Sequence, residues 1–277
     1  MGADPELVAL FRKHADYIIP LHKMNCGWVP LLIHNSVFGL WAAGMVKNFG
    51  VEPESWFWYE AGFGRLGERR YQDGQPFKGG EEKLCPPTFW GYMTLLGLTC
   101  GATCWCIEPP WQVWEGRKLT KTWEKVMVPL FRAIVKRELI PEREEVLKQI
   151  KIACQARLED TFVKHPESRD FRNFRRIFEG TYGLRHEKEL IPNTGRFFFI
   201  PILPALTEGS RLPRHRRVLR TDSFPDAEGF GREFQEAYPA FYRGGAFVAR
   251  VEDLVVVMNT HENRDVTEDF ELPLEWG

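Results

Sequence analysis

The chain has 277 residues, with 37 basic and 38 acidic side chains and a formal charge of −1. That balance excludes the basic excess by which a dedicated nucleic-acid or membrane-surface binder holds its partner. At 44% hydrophobic and 27% charged the sequence is globular rather than disordered, and its 10 Trp, 21 Phe and 7 Tyr exceed what a core requires, so part of the aromatic set is expected in a groove.

Met1 to Pro5 is polar and leads into an amphipathic stretch rather than an apolar signal core. No run approaches the ~18 apolar residues of a membrane span. Residues 5–16 predict a helix with Leu7, Leu10 and Phe11 on one face. Tyr17-Ile18-Ile19-Pro20 predicts a short strand, followed by the polar residues His22, Lys23 and Asn25. A second helix is expected over 35–49, capped by Asn35 or Ser36 and stopped by Gly50. Ser55 to Tyr59 predicts an aromatic strand ending on Glu60, and a Gly-, Arg- and Lys-rich loop of about 25 residues follows, a length usually functional. Pro87 to Gly101 reads as a third helix and Ala102 to Ile107 as a strand ending on Glu108. After a loop over Pro109 to Arg117, Leu119 to Leu139 predicts a further helix.

This alternation calls for parallel strands joined by crossover helices, with chemistry at the carboxyl ends of the strands. The second half differs. A charged helix is expected over Glu142 to Lys151, then a basic region with Arg169, Arg172, Arg175 and Arg176, then extended segments from Arg196 to Leu203 and from Ala246 to Asn259. The last reads as a hairpin turning at Glu252-Asp253. The chain therefore divides into an α/β part over 1–140 and a β-rich, sandwich-like part over 141–277.

Glu108 is the sharpest candidate for chemistry, because it ends an apolar strand, precedes Pro109-Pro110 and has Trp105, Trp111 and Trp114 around it. Indole faces pack on the C–H faces of sugars, while paired carboxylates supply the acid and base of glycosidic hydrolysis. The competing reading is a strand-end salt bridge with Arg117 or Lys118. Glu60 repeats the pattern after Trp58 and Tyr59, and its competing partners are Arg65 and Arg69. His22, Lys23, Asn25, His34 and Asn35 are candidates for hydrogen bonds to sugar hydroxyls. For Trp41 and Trp90 packing in the core is the preferred role.

Cys100, Cys104 and Cys106 form C-x3-C-x-C, which is not a zinc-ribbon spacing, so a strand packing role is preferred and no metal is expected. Gly62 to Gly67 is a lone G-x-G-x-x-G followed by a poor helix start, which argues against a dinucleotide. No cofactor is expected. Two other classes stay open: a carbohydrate-binding protein without catalysis, and a scaffold with an aromatic core.

The succession Tyr17 to Lys23, Gly39-Leu40-Trp41, Trp56 to Glu60, Gly101-Ala102-Thr103 running to Glu108, and Asn259 to Asn263 resembles glycoside hydrolase family 98. The resemblance spans about Tyr17 to Leu272 and rests on the order of the motifs. It implies a (β/α)8 barrel beside a β-sandwich, endo-acting hydrolysis of complex glycans or xylan with inversion, and an extracellular or cell-surface setting. Glu108 matches the family's strand-end base, and Glu60 the partner acid, where Asp is expected. A barrel takes about 250 residues, so residues 1–140 are expected to form its last strands, with the general acid lying before Tyr17.

Overall fold

A computed structural model describes residues 4–23, 30–53, 87–107, 113–150, 152–155, 200–207, 217–220 and 246–259. The first helix, α1 (Pro5–Lys13), starts where Asp4 accepts from the backbone N–H groups of Glu6 and Leu7 at 3.0 and 3.1 Å. Its last turn carries Arg12 and Lys13 against the carbonyl end of the helix dipole. Strands β1 (Leu21–Lys23), β2 (Gly50–Glu52) and β3 (Cys104–Trp105) form a parallel sheet in that order, with Leu21 opposite Gly50 and Gly50 opposite Cys104. The α/β alternation and parallel pairing expected of the first half are therefore present.

The boundaries shift for physical reasons. The first strand begins at Leu21 rather than Tyr17, because the ladder to β2 begins there, extended by a bond from Gly50 N–H to the Pro20 carbonyl. Helix α2 (Pro30–Ala42) starts earlier than 35 and ends earlier than 49. Gly44, not Gly50, stops it: Gly44 takes φ +72°, its N–H reaches the Trp41 carbonyl, and the Met45 N–H reaches that of Leu40. Gly50 instead sits where strands crowd, since a Cβ there would lie 2.2 Å from Leu21 Cδ2 and 2.7 Å from the Cys104 carbonyl oxygen. The strand expected over 55–59 lies outside the described residues.

Helix α3 (Pro87–Thr99) agrees with the expected segment. Leu119 is not helical: it pairs in a small hairpin of β4 (Trp114–Glu115) and β5 (Lys118–Leu119), turning at Gly116 with φ +65°. A π-helical turn over Trp123–Met127 then runs into α4 (Val128–Lys136). Helix α5 (Arg143–Gln149) follows.

In the second half β6 (Ile152–Gln155) pairs parallel to both β7 (Ile202–Leu203) and β8 (Arg217–Arg220). The predicted hairpin is present as β9 (Ala246–Val251) and β10 (Leu254–Asn259), with Glu252 at φ +53° in the turn. The Arg169–Arg176 region lies outside the described residues.

One apolar core takes residues from both halves: Phe38, Trp41, Phe49 and Trp90 join Ile152, Cys154, Ile202 and Val256. Helix α2 lies between β1 and β7, and α3 packs against β2 and the β9–β10 hairpin. This is why both helices are apolar all round rather than striped. Among the described residues no helix is long and apolar enough to cross a membrane.

Candidate functional site

Because β1, β2 and β3 are parallel, their carboxyl ends share one edge of the sheet. Lys23 and Glu52 stand opposite each other in register there, and Cys106 extends the ladder through its N–H to the Val51 carbonyl at 3.1 Å. The segments holding Asn25, Trp58, Tyr59, Glu60, Glu108 and Trp111 leave from this edge, and these residues lie outside the described ones. Lys23 is placed by its backbone at the end of β1.

His22 is within β1 rather than after it, opposite Val51, and it is fully buried. His34 and Asn35, on α2, are equally buried. The two imidazoles meet edge to face at 5.0 Å between centroids. From His34 the contact continues to Phe38 at 6.1 Å, and Phe38 stacks on Trp41 and Phe49. These three candidates for hydrogen bonds to sugar hydroxyls thus lie in the interior.

Trp41 and Trp90 are core residues, as expected. Trp41 donates its indole N–H to the Lys47 carbonyl at 3.0 Å. Trp105 is half-buried, with its ring edge to face with Phe131 of α4 at 5.7 Å. Phe131 also meets Trp123, at 6.1 Å. Trp114, on the β4–β5 hairpin, is 50% exposed and is thus an indole offered to solvent near the strand-end edge in sequence.

Glu52 escaped the sequence reading. It is half-buried at the end of β2 and is followed by Pro53, as Glu108 is followed by Pro109. That repeated Glu-Pro after a short apolar run was the available signal.

The thiols are structural in character. Burial pushes Cys154 from the ordinary 9.0 up to about 12, and burial also raises Cys100, against a smaller opposing hydrogen bond with Thr99. Cys104 and Cys106 are half-buried and not joined in a disulfide. Among the described residues no group of three or more His, Cys, Asp or Glu side chains is arranged to hold a metal ion.

Residues 143–277 match the family model described as glycosyl hydrolase family 98 C-terminal domain. Over those residues the chain is similar to glycoside hydrolase family 98. Its fold is also that of solved family 98 catalytic modules from Streptococcus pneumoniae TIGR4. The module in complex with the H-disaccharide blood group antigen matches with a TM-score of 0.70 at 17% identity, over 95% of this chain and 45% of that one. The native form gives 0.70 at 18% identity, over 94% and 44%, and the complex with the LewisY pentasaccharide gives 0.69 at 16% identity, over 95% and 45%. The chain thus spans under half the length of these family 98 structures. No curated protein sequence matches it at a significant level.

Proposed function

We propose that this chain forms the base-bearing part of an endo-acting, inverting glycoside hydrolase on complex glycans, of the endo-β-galactosidase or endo-xylanase type. The observation that carries this reading is the coincidence of the family 98 C-terminal domain over residues 143–277 with the catalytic-module fold over 95% of the chain. In the proposed layout, residues 1–140 are the last part of a (β/α)8 barrel and residues 141–277 a β-rich, sandwich-like domain. The β7-β6-β8 sheet, packed on α2, is the seam between them.

Inverting hydrolysis needs a carboxylic acid to protonate the leaving oxygen and a carboxylate to deprotonate a water on the opposite face of the sugar, about 6.5–9.5 Å away. In this reading Glu108 is the base and Glu60 its acidic neighbour. Trp58, Tyr59, Trp105, Trp111 and Trp114 supply faces for sugar rings, and Lys23 and Asn25 donate to hydroxyls. His22, His34 and Asn35, buried as they are, act from below by fixing the strand-end backbone. The family setting favours an extracellular or cell-surface location.

The solved neighbours hold blood-group oligosaccharides, so the test uses these glycans. Glu108→Gln should abolish release of products from an H-type or LewisY oligosaccharide, read by chromatography, while leaving binding intact. Unchanged turnover would remove Glu108 from the mechanism. A second reading, a carbohydrate-binding relative without catalysis, is favoured by the exposed indole of Trp114, a face that can stack on a sugar ring without any carboxylate. Glycan binding with no product from the wild-type chain would select it.

A further inference from the structure

Helix α1 turns one cation inward. Val8 is the buried residue of the helix, and Arg12, one turn further on, shares its face. Phe11, next to Arg12, packs against the core. Lys13 is exposed and can serve the carbonyl end of the helix from solvent. Arg12 is placed differently. The residue is only partly exposed, and its Nε and Nη2 atoms are both buried with no hydrogen-bond acceptor among the described residues.

These two atoms form one edge of the guanidinium. Their N–H bonds run side by side, and such an edge takes two oxygens of one carboxylate, sulfate or phosphate group. A lysine or histidine buried alone can shed its proton, but an arginine stays charged. An ion buried alone is strongly destabilising, so this charge calls for an anion from elsewhere. The acidic side chains nearest in sequence are committed or remote. Asp4 accepts from the Glu6 and Leu7 N–H groups at the far end of the helix, Glu6 is exposed in the first turn, and Asp16 pairs with Lys47. The segment after Arg12 leads to the amino ends of the strands, where the Lys47 N–H bonds to the Ala15 carbonyl and the Gly50 N–H to that of Pro20. Arg12 therefore stands near the amino ends of β1 and β2 and not at the carboxyl edge.

We propose that Arg12 anchors an oxyanion site beneath α1, in which a carboxylate, sulfate or phosphate group binds side-on to Nε and Nη2. The site is distinct from the carboxyl edge, and the proposal does not rest on any catalytic assignment.

The test titrates the 277-residue chain, in chloride buffer at constant ionic strength, with sodium sulfate, sodium phosphate or sodium acetate. Calorimetry and thermal unfolding provide the readouts. At least one anion should bind saturably, one per chain, and raise Tm by roughly 3–5 °C at ten times its Kd. A response to sulfate or phosphate assigns a tetrahedral oxyanion and a response to acetate a carboxylate, and either supports the site. Arg12→Met should abolish binding, and in chloride it should be at least as stable as wild type, since it removes a buried charge. Arg12→Lys keeps the charge without the paired N–H edge and should weaken binding about tenfold or more. Lys13→Met, which removes an exposed cation, should bind as wild type does. Absence of saturable binding by wild type overturns the proposal whatever the variants do, and is the result expected if water alone meets the two N–H groups. A Tm rise shared equally by Arg12→Met is the general effect of excluded salts and overturns it too. Wild type that binds no anion yet is more stable in chloride than Arg12→Met would place the counter-ion within the chain, against the proposal.

Discussion

Gly39 sits in the middle of α2, where a glycine lowers helix stability by about 1 kcal/mol relative to alanine. Helix propensity alone therefore predicts that Gly39→Ala stabilises the protein. The packing predicts the reverse. A Cβ at Gly39 would lie 1.8 Å from the carbonyl oxygen of Ile202, 2.4 Å from its carbonyl carbon and 3.1 Å from its nitrogen. These are backbone atoms of β7, which cannot rotate away as a flexible side chain would. To reach even 3.0 Å, helix and strand must separate by more than an ångström, which pulls open the contact among Phe38, Ile202 and Leu203. Overpacking of this kind costs about 1–3 kcal/mol and more against rigid backbone. Taking the upper figure less the propensity gain, Gly39→Ala should destabilise by about 2 kcal/mol, or roughly 4–8 °C in Tm for a chain of this size.

Thermal and urea unfolding followed by circular dichroism would read this directly. The control is Gly91→Ala in α3, where the nearest atom to the new Cβ is Val126 Cγ1 at 3.1 Å, the end of a side chain that can give way. That variant should be neutral or slightly stabilising. A Gly39→Ala protein as stable as wild type, or more so, would refute the packing of α2 onto β7 and with it the shared core of the two halves.

Arg143→Met should cost about 1–2 kcal/mol by the same unfolding assay, because the guanidinium donates to the Ala42 carbonyl at 2.8 Å, where α2 ends, and lies 5.8 Å over the Trp41 ring. For the thiols, alkylation at pH 8 with site-resolved mass spectrometry should modify Cys104 and Cys106 well before Cys100 and Cys154, whose burial favours the neutral form. Since Cys154 keeps its proton to about 12 when folded and loses it near 9.0 when unfolded, its contribution to stability is whole below pH 9 and is lost as the pH rises from 9 toward 12. Trp114→Ala should leave Tm within about 1–2 °C, as expected for a half-exposed hairpin residue, while weakening oligosaccharide binding in a titration.

What was legible in the sequence was what local physics decides. The hairpin from Ala246 to Asn259 carried its period and its turn at Glu252-Asp253, and α1 and α3 carried theirs. Strands of two or three residues have no period to read, so β1 was placed a few residues early and β4 and β5 were read as loop and helix. Gly50 looked like a helix stop because its reason for being glycine is non-local: Leu21 and Cys104 press on it from neighbouring strands. The parallel pairing of Ile152 with Arg217 and of Cys154 with Ile202 joins segments far apart in the chain and left no mark on either. The burial of His22 is likewise non-local, since the α2 helix packs on β1 and covers it.

These corrections also bear on how the site is built. His22, His34 and Asn35 are buried, and the two imidazoles join β1 to α2. At β2 and after β3 the backbone is constrained in a repeated way: Glu52 and Glu108 each precede a proline, whose ring excludes the helical conformation for the residue before it. Glu52 accordingly stands at the end of its strand. Glu52 is half-buried, and the backbone of Lys23 stands across from it in register. One strand further on, Trp105 is braced by Phe131, and the hairpin that follows leaves the Trp114 indole exposed.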